Sequence, residues 1–131
     1  MNLQSWLHEI CESEAPDRTV LAFNFGLFET EEGYSIYLIG SNEYDKLDPD
    51  WATNVDFEPA NKYLPLPPHD FGNLSWERAL EKIRIQLIEF TATETFQRSF
   101  LARAHAITTG FDDGDLVLIA KANSQNVQIE L

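Results

Sequence analysis

The single cysteine and the three histidines are the side chains here best suited to nucleophilic or zinc chemistry. A cysteine becomes a nucleophile when a base or a positive field draws off its proton. Cys11 instead falls on the apolar stripe of a short helix, among Glu9, Glu12 and Glu14, whose charges push a thiol pKa up. It reads as a structural cysteine, buried as free cysteines usually are. His8, His69 and His105 are isolated, with no HxH, HxxxH or HExxH spacing from which a zinc site is normally built. His8 is expected at a surface and His105 at a helix end. Only His69, in the run Pro67-Pro68-His69-Asp70-Phe71, sits in a loop that can line a pocket.

The acids come next. Asp45, Asp48 and Asp50 invite a calcium reading, but their spacing departs from the D-x-[DN]-x-[DN]-G pattern and Pro49 interrupts it. Asp112, Asp113 and Asp115 surround Gly114, and Asp-Gly is a favoured hairpin-turn dipeptide. Glycosidase chemistry needs two opposed carboxylates, and nothing in the spacing of the 22 acids selects a pair. The chain carries no G-x-S-x-G, phosphate-loop or dinucleotide fingerprint. Gly26 and Gly40 lie in strand-like runs, where glycine marks a bulge or close packing. These residues predict no catalytic site, metal or cofactor, and they favour binding over catalysis.

Charge says more about partners. The 131 residues carry 22 acidic and nine Lys and Arg side chains, a formal net charge of −13. That balance argues against nucleic acid, whose phosphates call for positive charge, and against an anionic membrane surface. The imbalance is local: residues 1–60 hold 13 acids and two basic residues. Within 42–60, Glu43, Asp45, Asp48, Asp50, Asp56 and Glu58 face only Lys46, and Tyr44, Trp51 and Phe57 are interleaved with them. Disordered acidic segments are poor in aromatics, so this one is expected to be ordered, rings down and carboxylates out. The first turns lack the basic and apolar regions of a secretion signal, and no apolar run approaches the roughly 20 residues of a membrane span. With one cysteine, a cytoplasmic location is expected.

The elements that must position these residues follow from periodicity. Leu3, Trp6, Leu7, Ile10 and Cys11 recur at helical spacing, ending before Pro16. Residues 19–28 and 34–40 read as strands joined by a turn at Glu31-Glu32-Gly33. After a proline-rich connection, Ser75 is a candidate N-cap for a helix whose stripe is Trp76, Leu80, Ile83, Leu87 and Phe90. The threonine-rich stretch 91–95 predicts a break, followed by a helix over about 95–105 that aims Phe96, Phe100 and Ala104 inward. Strands are expected around 107–121, with a hairpin at Asp113-Gly114, and a short last strand in 127–131. The order implies one α+β domain over residues 1–131, with a mostly antiparallel sheet of four to five strands and helices packed on one face.

Two surfaces stand out as binding candidates. The first is the acidic segment, with Glu43, Tyr44, Asp45, Asp48, Asp50 and Trp51. Its aromatics either pack the loop onto the sheet or anchor an interface, and its carboxylates favour a basic protein partner. The second is Ile85 with Ile88, at about 180° and 120° from Trp76 on a helical wheel. They meet either the 95–105 helix or a second copy in a homodimer.

Two segments, YSIYLIGSNEYDKLDPDWA at 34–52 and GFDDGDLVLIA at 110–120, give the chain a resemblance to the immunity proteins of bacterial polymorphic toxin systems, including the SUKH-type superfamily. The resemblance covers about a quarter of the chain. It implies a non-enzymatic cytoplasmic protein that blocks a toxin, often a basic nuclease, by occupying its active-site cleft, with acidic groups pairing with the toxin's Lys and Arg. The alternatives to this binding module are a homodimeric structural or regulatory protein built on Ile85 and Ile88, and a small ligand-binding or enzymatic domain with a pocket near His69 and the 42–58 loop.

Overall fold

Asn2 starts the first helix by a reciprocal pair of bonds: its side chain accepts from the Ser5 N–H at 2.9 Å, and its own N–H donates to Ser5 Oγ at 3.1 Å. Two orphan donors are thereby satisfied, and α1 (Leu3–Ser13) buries Leu3, Trp6, Leu7 and Ile10. The computed structural model describes residues 1–122 and 127–129. After α1 come β1 (Ala22–Thr30), β2 (Gly33–Ser41), a 3-10 turn (Pro49–Thr53), β3 (Tyr63–Pro65), α2 (Pro68–Phe71), α3 (Trp76–Thr91), α4 (Glu94–Gln97), a second 3-10 turn (Phe100–Arg103), β4 (Ala106–Phe111), β5 (Val117–Ala122) and β6 (Val127–Ile129).

The strands form one sheet in the order β3-β2-β1-β4-β5-β6. Every pairing is antiparallel except β1 with β4, which the crossover through α2, α3 and α4 makes parallel. The fold is thus α+β with a mostly antiparallel sheet, as the element order implies. The sixth strand, β3, is a three-residue edge strand too short to register as a pattern. The last expected strand is present as β6, and residues 130–131 of that expectation lie outside the described residues.

One face of the sheet carries the main core. Phe23, Phe25 and Leu27 of β1, Tyr34, Ile36 and Leu38 of β2, and Ile107 and Phe111 of β4 pack against Trp6 and Leu7 of α1, Ile83 and Leu87 of α3, and Phe96 of α4. The α3 stripe is turned slightly from the expected one. Ala79 is buried, whereas Trp76 is 54% exposed, with its ring edge to face against Phe111 of β4 at 6.1 Å. Ile88 packs partly into this same core, while Ile85 is exposed.

The break at 91–95 is present: α3 ends at Thr91, and Thr93 caps α4 by accepting from the Phe96 N–H. The expected single helix over 95–105 is instead α4 and a 3-10 turn. Ser99 divides them, its hydroxyl accepting from the Leu101 N–H at 3.2 Å and donating to the Phe96 carbonyl at 2.8 Å. Such local bonds compete with a helical ladder. Phe96, Phe100 and Ala104 are nevertheless buried.

Among the described residues no α-helix packs on the opposite face of the sheet. Alternation along the strands sends Asn24, Gly26 and Phe28 of β1, and Tyr37 and Ile39 of β2, to this side. Gly26 pairs with Tyr37 on one flank and with Gly110 on the other. A Cβ on Gly26 would lie 2.1 Å from Tyr37 Cζ, and one on Gly110 would lie 2.5 Å from the Asp115 carbonyl oxygen. Tyr37 therefore lies flat across β1, and the β4–β5 hairpin folds back over β4.

Gly26→Ala should destabilise the fold by about 1–3 kcal/mol, the usual cost of forced overpacking. In urea denaturation the same substitution in a Tyr37→Ala background should cost much less. An undiminished cost there would show that the Tyr37 ring is not what Gly26 accommodates.

Candidate functional site

The helix-free face is partly roofed by the acidic segment. Trp51, on the 3-10 turn, is 5% exposed and seated on Ala22 and Ala106, with Tyr44, Ala52, Leu116 and Leu118 around it. Tyr44 meets Trp51 edge to face at 5.4 Å between ring centres. The rings are thus down and the carboxylates out. Glu43, Asp45, Asp48 and Asp50 are all exposed, while Trp51 is buried and Tyr44 is half-buried.

Several of these acids also shape the segment. Asp45 accepts from the Leu47 N–H at 2.9 Å, and Asp48 caps the 3-10 turn by accepting from the Asp50 N–H at 3.0 Å. Asp56 accepts from the Asn42 N–H at 2.8 Å and from the Asn54 amide at 2.9 Å, closing the loop on itself. Short carboxylates commonly make such turns and caps, so the acidic run is a shaped surface rather than a loose tail.

Between this segment and the β4–β5 hairpin lies a groove of about 740 Å³, within the range of ligand and side-chain pockets. Asn24, Tyr37 and Ile39 floor it, Asp50 and Val55 border one side, and Asp112 and Asp113 border the other. Asn24 is held in place from the neighbouring strand, its Oδ1 accepting from Thr108 Oγ1 at 2.9 Å. Phe28, Tyr37 and Tyr63 form a three-ring cluster with centroids 6.0 to 6.2 Å apart. Lys62 Nζ stands 5.6 Å from the Tyr37 ring centre and 5.1 Å from that of Tyr63, and pairs with Glu58 at 3.0 Å. Burial works against the Lys62 charge, but the bonds to Glu58 and Tyr63 outweigh it and hold its pKa above the ordinary value. Tyr37 Oη donates to Asp112 Oδ1 at 2.5 Å. Burial, followed by that bond and the Asp112 charge, pushes the Tyr37 phenol well above its usual range.

No family model, curated protein or solved structure matches this chain.

The groove therefore has to be read from its own chemistry. Of the residues proposed from sequence to bind a partner, Asp50 alone lines it, joined by Asp112, Asp113 and Gly114 of the stretch read as a hairpin turn. His69 does not: it is exposed on α2, 3.4 Å from Asp70, while its neighbour Phe71 packs into the helix-side core. The expected pocket beside the 42–58 loop exists, but not near His69, because α2 belongs to the helical layer. His8 is half-buried with its ring against Phe90 at 5.5 Å, and His105 is exposed. Cys11 is half-buried, and its thiol pKa is raised, chiefly by burial and also by Glu12, against a lowering bond from Ser99. That is the reverse of what activates a nucleophile. Among the described residues no group of three or more His, Cys, Asp or Glu side chains is placed to hold a metal ion, and no helix is long and apolar enough to cross a membrane.

The ring cluster escaped notice in the sequence, and Asp112 was read there only as part of the turn at Gly114, although a signal for Tyr37 existed. The Thr30–Gly33 pair at the hairpin sets the register, and counting back from it puts Tyr37 opposite Gly26, an aromatic facing a gap. Tyr63 and Lys62 gave no such signal, because β3 follows a long connection whose register no turn specifies.

Trp51→Ala should cost about 3–5 kcal/mol if the whole domain feels the loss, as for other buried large aromatics, and should make amides of residues 42–57 exchange with solvent faster than those of β1. Unchanged exchange in the loop would mean that Trp51 does not hold it down. A second expectation concerns pH. The Tyr37 pKa is raised in the folded state, so its contribution to stability is complete below the unfolded phenol value of about 10 and is lost as pH rises from there toward the folded value. The urea midpoint should fall on raising the pH above about 10, and it should fall less in Tyr37→Phe.

Proposed function

We propose that this chain is a non-enzymatic, acidic protein-binding module, an immunity-type inhibitor of a basic protein in the sense that the resemblance of its 34–52 and 110–120 segments implies. One observation carries the reading: Glu43, Asp45, Asp48 and Asp50 are displayed together on a segment fixed to the sheet by the buried Trp51. A charged loop that is already ordered loses little conformational freedom on binding, and a negative patch speeds encounter with a positive surface while repelling nucleic acid. On this reading the carboxylates pair with Lys and Arg of the partner and exclude its substrate from the cleft they occupy. Cytoplasmic residence belongs to the same proposal.

The test keeps the loop intact while removing its charge. Asp45→Asn and Asp48→Asn each retain an oxygen for the local bonds described above, and in Asp50→Asn the backbone N–H still donates to residue 48. Capture of a basic partner from the native host at low salt, followed by calorimetry with the purified pair, should give at least tenfold weaker binding for the triple variant. Binding of the wild type should itself weaken steeply between about 50 and 500 mM salt, as screening shortens the reach of exposed charges. Equal affinity of the triple variant and the wild type would remove the acidic segment from the interface.

A further inference from the structure

We propose that the groove on the helix-free face receives an arginine side chain of the basic protein partner, its guanidinium stacked on the Tyr37–Tyr63 ring faces and paired with Asp112 and Asp113. The inference rests on the protein-binding reading and adds to it a specific subsite. Three independent features converge on a cation there.

The first is the ring cluster. Aromatic faces attract cations through the ring quadrupole, and the chain itself demonstrates this by holding Lys62 Nζ over two of the three rings. Tyr63 remains 53% exposed, so the cluster is open to a visitor. The second is charge. Asp50, Asp112 and Asp113 border the groove, and its cation, Lys62, is already paired with Glu58. The field at the mouth is negative, in a chain of net −13. The third is preorganisation. Asp112 is fixed through one oxygen by the Tyr37 hydroxyl, and a carboxylate with one bond made has lone pairs left for more. Tyr37 is in turn held flat by the missing side chain at Gly26.

Arginine fits this arrangement better than lysine. Its planar guanidinium stacks on rings, is weakly hydrated and forms forked bonds to carboxylates, whereas the compact ammonium position over the rings is occupied by Lys62. The groove volume of about 740 Å³ accommodates such a side chain with the backbone that carries it.

The test uses the whole chain and a blocked Gly-Arg-Gly tripeptide, followed by aromatic carbon NMR. Saturable shifts should appear at Phe28, Tyr37 and Tyr63. The neutral isostere Gly-citrulline-Gly should bind at least fivefold more weakly, and so should Gly-Arg-Gly to the Asp112→Asn/Asp113→Asn variant. In that variant the new amide oxygen still accepts from Tyr37, so the rings keep their places. Absent shifts, equal binding of the citrulline peptide, or equal binding of tetramethylammonium, which would indicate a small-cation site, would each overturn the proposal. Asp45→Asn/Asp48→Asn, which lies outside the groove, should leave tripeptide binding within twofold. Absent tripeptide binding with partner capture intact defeats the arginine subsite alone, whereas intact tripeptide binding with partner affinity unchanged in Asp45→Asn/Asp48→Asn defeats the acidic loop alone.

Discussion

A sheet with apolar residues on both faces and helices on only one has an unmet requirement on the other. Trp51 meets it. Its ring covers Ala22 and Ala106, positions on the two parallel central strands where small side chains leave room for a large one. Sealing that patch exchanges apolar surface with water for close packing, the dominant stabilising term in folding. Because Trp51 sits within an acidic run, the same contact that closes the core holds four carboxylates at the surface. Structural need and display of charge are met by one segment, which is why the loop is ordered despite its repulsion.

The remainder of that face stays open, and its chemistry is set by what the strands place opposite one another. Gly26 and Gly110 leave a shallow trough across β1 and β4. Tyr37 fills part of it and reaches Asp112, joining the first hairpin to the second. The groove is thus built from two hairpins and a roof, with no contribution from the helical layer. A histidine on α2 has no path into it.

Local patterns showed in the sequence wherever a periodic stripe or a turn signal existed. The capped helices α1 and α3, the Glu31–Gly33 turn, the break after Thr91 and the hairpin at Gly114 are all encoded within a few residues of themselves. The inward rings and outward acids of 42–58 were legible too, since aromatics in an acidic run have few other places to go. What escaped notice depends on distant pairing. The parallel partnership of β1 with β4 joins Asn24 to Thr108, 84 residues apart, and the edge strand β3 brings Lys62 and Tyr63 beside Tyr37 only after a proline-rich detour. The candidate groove lies where these long-range pairings meet, so its ring cluster and Asp112 could not be assembled from any window of the chain. The helix expected over 95–105 failed for a different reason: Ser99 offers its neighbours hydrogen bonds that a helical ladder does not.

The parallel pairing also has a consequence for how the chain is made. During synthesis the β1–β2 hairpin emerges early and is able to form at once, because its partners are adjacent. The far edge of β1, the centre of the finished sheet, must then wait for β4, which leaves the ribosome only after the helices. Through that interval a central strand with Phe23, Phe25 and Leu27 on one side carries an unpaired edge, the kind of surface that invites pairing with another chain. The helices made in between are available to cover those side chains before the edge is closed, so the order of elements along the chain limits the exposure that its topology creates.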